Sequence, residues 1–201
     1  MLIRIIKSDE YIKSKWSGGK TTQIGIYPED AEYKDRDFLW RISSATVDME
    51  ESTFTALPDY NRVIMTIKGG MELIHNGGGP IALEPFESHE FDGGALTVSR
   101  GRVVDFNLMM RKERCSGFVH AFRLINGQEK AIFWENGGPD ETALFYAYGT
   151  DVSMLIDGEG YKLEEGDSLV LEGDEVGSSP DISMVSDRDG VLVMADVEML
   201  P

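Results

Sequence analysis

With 201 residues, 41% of them hydrophobic, the chain has the composition of a folded globular protein, long enough for one sizeable core or two smaller ones. Its 36 Asp and Glu against 19 Lys and Arg give a formal charge of −17, which repels both a phosphate backbone and an anionic bilayer and argues against nucleic-acid and membrane partners. The single cysteine, Cys115, leaves no internal disulfide, which agrees with a reducing cytoplasm, and no apolar run reaches the roughly 18 residues of a membrane span.

In chain order, Met1 to Tyr11 has too short an apolar core for a signal peptide and reads as a first strand at Leu2–Ile6. Trp16 to Thr22 (WSGGKTT) reads as a glycine-rich loop, and Gln23 to Tyr27 resumes strand spacing until Pro28. GGKTT fails as a phosphate-binding loop: Ser14 stands where that motif needs its first glycine, and a strand pattern follows where it needs a helix. No nucleotide site is expected. The segment suits a plain turn or, with Trp16, Thr21 and Thr22, the mouth of a pocket.

Phe38 to Gly70 is the most informative stretch. Trp40 to Val47 alternates, with Trp40, Ile42, Ser44 and Thr46 on one face and Arg41, Ser43, Ala45 and Val47 on the other. Asp48 to Ser52 is the one candidate for a helical turn. After Leu57-Pro58-Asp59, a second strand from Arg62 to Lys68 sets Val63, Met65 and Ile67 against Arg62, Ile64, Thr66 and Lys68. Arginines among β-formers, in so acidic a chain, fit the interior of a small barrel that holds an anionic ligand. The competing arrangement puts both on the solvent face.

Met71–Ile74 and Ile81–Leu83 flank an Asn76-Gly77 turn and read as a hairpin. Leu96–Ser99 and Val103–Met110 follow. In the latter, Asp105, Asn107 and Met109 share a face, where Asp105 and Asn107 are either pocket groups or a hydrogen-bonded core pair. Residues 111–117 (RKERCSG) read as a joint between halves 1–112 and 113–201. Beyond it, strands are expected at Gly117–Leu124, Ala131–Glu135, Thr142–Tyr148, Val152–Ile156, Tyr161–Leu163, Gly166–Leu171, Ile182–Val185 and Val191–Val197, with Asn126-Gly127 and 136–139 as breaks. Many short strands indicate an all-β sandwich or barrel. A faint repeat of strand, glycine turn, strand and acid relates Gly70–Glu84 to Val152–Glu164, which suits two barrels in one chain.

The segments FLWRISSATV and FTALPDYNRVIM, with WSGGKTTQ (Trp16–Gln23), Phe91-Asp92-Gly93 and Asp105-Phe-Asn-Leu-Met109, resemble the HutD/Ves family in order and spacing from about residue 1 to 112. The resemblance implies an all-β double-stranded β-helix of cupin (jelly-roll) type, with two barrels in one chain, a bicupin. It also implies an association with histidine degradation, with formate or N-formylglutamate as the proposed ligand, and it favours the pocket placement of Asp105 and Asn107.

The chemistry narrows further. His75, His89 and His120 lack the close spacing that brings two imidazoles to one metal from one strand, and His89 reads as a surface loop residue, so neither metal nor cofactor is expected. Cys115 has no histidine placed to activate it. The expected site comprises Trp16, Thr21, Thr22, Arg41, Ser43, Arg62, Asp105 and Asn107, binding a small anionic metabolite without metal, in a cytoplasmic protein for which a homodimer is left open. The competing expectation is a metal-independent enzyme, an isomerase or hydrolase acting on a small acid with Asp105 as base.

Overall fold

The computed structural model describes residues 1–135, 138–174, 177 and 179–201. The expected break at 136–139 therefore falls partly, at Asn136 and Gly137, outside the described residues. The described residues form nineteen strands and no helix, and none offers a helix long and apolar enough to cross a membrane. Asp48 to Ser52, expected as a helical turn, leads instead into a short strand.

The chain divides into two compact units, residues 12–119 and residues 1–11 with 120–200. The first unit contains β2 (Ile12–Trp16), β3 (Gly19–Tyr27), β4 (Trp40–Val47), β5 (Glu51–Thr53), β6 (Tyr60–Lys68), β7 (Met71–His75), β8 (Ile81–Leu83), β9 (Ser88–Asp92), β10 (Thr97–Arg100) and β11 (Val103–Arg111). They make a six-stranded sheet, β2-β3-β4-β11-β6-β9, and a four-stranded sheet, β5-β10-β7-β8. A core from both sheets, including Val47, Ile64, Leu73, Leu83 and Phe91, lies between them. Within the larger sheet β4, β6 and β11 are buried along nearly their whole length, as their β-branched and apolar content requires.

The second unit contains β1 (Leu2–Ile6), the end of β12 (Cys115–Leu124), β13 (Lys130–Ile132), β14 (Glu141–Tyr148), β15 (Val152–Ile156), β16 (Glu159–Leu163), β17 (Ser168–Glu172), β18 (Ile182–Ser186) and β19 (Gly190–Met199). Its sheets are β1-β17-β14-β19-β12 and β13-β18-β15-β16. Matching β4–β11 to β12–β19 in order reproduces the same neighbours in both sheets. The faint sequence repeat is thus the visible part of an eight-strand repeat in topology. The two repeating hairpins are β7–β8 and β15–β16. Asn76 and Gly77 both have positive φ (53° and 70°) and form a tight turn, closed by the Gly78 N–H on the His75 carbonyl at 2.9 Å, at the start of the longer connection to β8.

Two local readings are corrected. Trp16 to Thr22 is a β2–β3 hairpin: Trp16 ends one strand, and Thr21 and Thr22 lie inside the next. Gly19 permits it, since a Cβ there would sit 1.8 Å from the Thr46 carbonyl oxygen. His89 is within a strand, β9, paired with Ile64 of β6. The N-terminal strand pairs antiparallel with β17, so residues 1–11 pack with 120–200.

That pairing also satisfies a buried carboxylate. Asp167 accepts from Lys7 Nζ at 2.6 Å and from the Ser8 and Glu164 N–H groups, each at 2.9 Å. Deleting residues 1–8 removes two of these donors and the apolar cover of Met1, Ile3 and Ile5. Loss of roughly 2–4 kcal/mol of stability is expected, read as a lower midpoint in urea unfolding.

Candidate functional site

Residues opposite one another in an antiparallel sheet point the same way, so the register of the six-stranded sheet states which side chains share its inner face. Asp105, Asn107 and Met109 of β11 pair with Ala45, Ser43 and Arg41 of β4. On the other flank Met109 pairs with Arg62 of β6. On β3, Thr21 and Gln23 pair with Ala45 and Ser43, and Ser14 of β2 pairs with Thr21. A bulge between Gln23 and Gly25 keeps Gln23 on this face while the rest of β3 shifts register.

These rows enclose a cavity of about 310 Å³ within the 12–119 unit. Seven of the eight expected residues line it: Trp16, Thr21, Arg41, Ser43, Arg62, Asp105 and Asn107. Thr22 does not, because it pairs with Ser44 and lies on the opposite face. Tyr33, from the segment between β3 and β4, and Ser52 to Thr55, running out of β5, complete the lining; none of these was expected from the sequence. The aromatic ring in Tyr33 and the phenyl group of Phe54 approach from connecting segments, whose sequence pattern announces no long-range partner.

The guanidinium groups differ in how they are held. Arg41 donates from Nε to Gln23 Oε1 at 2.8 Å and from Nη1 to Ser43 Oγ at 3.1 Å, and stacks 4.3 Å from the Tyr33 ring centroid. Arg62 lies over Phe54 and Phe91, at 4.6 and 5.3 Å. Its Nε is buried with no hydrogen-bond partner, as is Asn107 Oδ1. Burial lowers both arginines to about 10, so both remain cations at neutral pH. Asp105 accepts the Ala45 N–H at 3.2 Å, and Ser44 Oγ donates to its carbonyl at 2.7 Å. Burial pushes its carboxyl up to about 7, against the pull of Arg62 and the Ala45 N–H. The interior therefore holds two cations, an acid poised near neutrality, an unused donor and an unused acceptor.

The matching core of the other unit is apolar. Trp134, Phe145, Met154 and Leu171 are among its buried residues, and Trp134 Nε1 donates to Asp196 at 2.7 Å. Cys115 is buried, which pushes its thiol up to about 11 and keeps it unreactive. His75 and His89, far apart in sequence, meet with their Nε2 atoms 3.1 Å apart, which corrects the reading of His89 as a surface loop residue. Among the described residues no group of three or more His, Cys, Asp or Glu is placed to hold a metal ion.

The HutD family model matches residues 8–192. The chain resembles the crystal structure of PA5104 from Pseudomonas aeruginosa PAO1, described as a conserved protein of unknown function, with TM-score 0.82 and 22% identity over 98% of this chain and 100% of that one. It resembles HutD from Pseudomonas fluorescens SBW25, whose structure is labelled "Formate condition", with TM-score 0.74 and 26% identity over all of both chains. A Cupin 2 conserved barrel domain protein from Leptotrichia buccalis matches at TM-score 0.53 and 12% identity over 98% of this chain and 96% of that one, so the all-β fold is cupin-like. None of the curated proteins matches the chain in sequence.

Proposed function

Because this chain belongs to the HutD family, we propose that the cavity of its 12–119 unit is a metal-free binding site for one small carboxylate, formate or an N-formylglutamate-like acid, in a cytoplasmic protein with a regulatory role in histidine degradation. One observation carries the reading. Arg62 Nε has no acceptor and Asn107 Oδ1 has no donor, and both line the same cavity. Buried polar groups left unpaired are costly; a ligand with a carboxylate and an N–H, as in an N-acylated amino acid, satisfies both at once, whereas formate satisfies Arg62 Nε alone. Arg41 and Arg62 on the same walls oppose a bound metal cation and favour an anion. The formate label on the P. fluorescens HutD structure is in keeping with a small carboxylate. We further propose that each unit closes into a barrel, giving a bicupin, a reading supported by the repeated strand order.

A second reading rests on Asp105. A carboxyl held near 7 in a cavity is suited to take a proton from a bound acid or amide, as an isomerase or hydrolase requires. One experiment separates the two. Purified protein is incubated with formate, N-formylglutamate and related amides, following both the melting temperature and the chemical composition of the mixture. A rise in melting temperature with unchanged ligand supports binding alone. Conversion that is abolished in Asp105→Asn supports the enzyme, and neither effect with any member of the panel removes the carboxylate assignment.

A further inference from the structure

His75 ends β7 in the four-stranded sheet and His89 lies in β9, the edge strand of the six-stranded sheet. Fourteen positions apart, they meet where the two inner faces come together. Their rings are 5.2 Å apart between centroids, and Phe91 packs against both, at 4.7 Å from His75 and 6.0 Å from His89. Both histidines are partly exposed, so the pair is reachable from solvent.

One arrangement of the ring hydrogens fits these contacts and leaves a nitrogen lone pair free. Thr97 Oγ1 carries a single hydrogen, and it donates to the Ala95 carbonyl at 3.2 Å. In that arrangement it accepts from His75 Nδ1, 2.9 Å away, and that nitrogen bears the ring hydrogen. His75 Nε2 is then a bare lone pair aimed at His89 Nε2, 3.1 Å away. A metal-bound imidazole is held in the same way, with its far nitrogen hydrogen-bonded and its near nitrogen free.

We propose that His75 and His89 form a two-imidazole site for a divalent transition-metal cation, separate from the arginine-lined cavity. Two metal–nitrogen bonds of about 2.0–2.1 Å span 3.1 Å at an angle of roughly 100°, within the range of tetrahedral and square coordination; the cation then lies off the line joining the nitrogens, and each ring swings by roughly 40° to face it. His89 turns its hydrogen to Nδ1 when the cation binds, and solvent fills the remaining positions. A net charge of −17, which opposes anions, concentrates cations around this site. Two imidazoles without a carboxylate favour copper(II) over zinc(II).

The chain has only three histidines, so one series decides the matter. Untagged full-length protein, His75→Gln, His89→Gln and His120→Gln are titrated with copper(II) chloride and with zinc(II) chloride by calorimetry at pH 7.5. One copper(II) per chain is expected in the wild type and in His120→Gln, zinc(II) binding at least tenfold weaker, and copper affinity lowered at least tenfold in each of the other two variants. Electron paramagnetic resonance of the wild type loaded with one copper(II) should show two coordinated imidazole nitrogens, a readout independent of how the variants fold. Unchanged copper affinity in both His75→Gln and His89→Gln, or a wild-type spectrum without two imidazoles, overturns the assignment.

Discussion

Replacing Arg62 by methionine is expected to abolish most carboxylate binding and, at the same time, to leave the empty protein as stable as before or more so. The two effects have one cause. Arg62 is 5% exposed, lies over Phe54 and Phe91, and has its Nε unpartnered. A buried cation without a hydrogen-bonded carboxylate costs desolvation energy that the Phe54 and Phe91 faces repay only in part. Methionine fills similar space without that cost, so an increase of about 1–3 kcal/mol in unfolding free energy is expected. A charge-assisted hydrogen bond contributes about 1.5–3 kcal/mol, so affinity should fall roughly 10- to 150-fold. Arg62→Lys should recover only part, since it keeps the charge and loses the planar fork. Arg41→Ala is expected to weaken binding less, because two of its donors are already engaged by Gln23 and Ser43. Thr22→Ala, on the opposite face of β3, should change nothing. The measurements are calorimetric titration with the tightest carboxylate of the panel and chemical denaturation of each variant. Unchanged affinity in both Arg62→Met and Arg41→Ala would move the site out of this cavity.

The placement of these side chains was legible where alternation ran unbroken. Trp40 to Val47 is a strand from end to end, and the face assigned to Arg41 and Ser43 is the face that lines the cavity. Val103 to Met110 behaves alike, because Phe106 and Leu108 alternate strictly with Asp105, Asn107 and Met109. Legibility failed where the signal was one residue deep or belonged to distant partners. The threonines at 21 and 22 are neighbours, and period-two geometry puts only one of them inside. Ser88 to Asp92 has one large apolar residue, Phe91, and three charged or hydroxyl neighbours, so nothing marked β9 as a strand until β6 supplied its partner. Tyr33 and Phe54 reach the cavity from connecting segments, and the union of β1 with β17 spans most of the chain. Tertiary pairing of this kind leaves no periodicity to read.

Asp105 supplies the second large effect, and its sign is fixed by the direction in which burial moves the carboxyl. That group titrates near 7 in the folded protein, raised from 3.8 mainly by desolvation. Between those values the folded state holds a proton that the unfolded state has lost, so stability falls as pH rises from about 4 to about 7 and is flat above. A tenfold change in proton affinity is worth about 1.4 kcal/mol, so the whole cost at pH 8 is on the order of 4 kcal/mol. Asp105→Asn keeps an oxygen for the Ala45 N–H and cannot ionise. Its advantage over the wild type should therefore grow by roughly 1.4 kcal/mol per pH unit between pH 4 and 7 and then level off, as measured by urea unfolding at a series of pH values. Ligand binding follows the same proton. Below pH 7 Asp105 is neutral and Arg62 is free to meet an incoming carboxylate. Above it, the Asp105 carboxylate competes for that cation and repels the ligand. Wild-type affinity for the carboxylate should therefore weaken as pH rises through 7, while Asp105→Asn holds the acid-side affinity throughout. An affinity independent of pH from 5 to 9 in the wild type would show that Asp105 is not coupled to the ligand, and would leave Arg62 and Asn107 to account for binding without it.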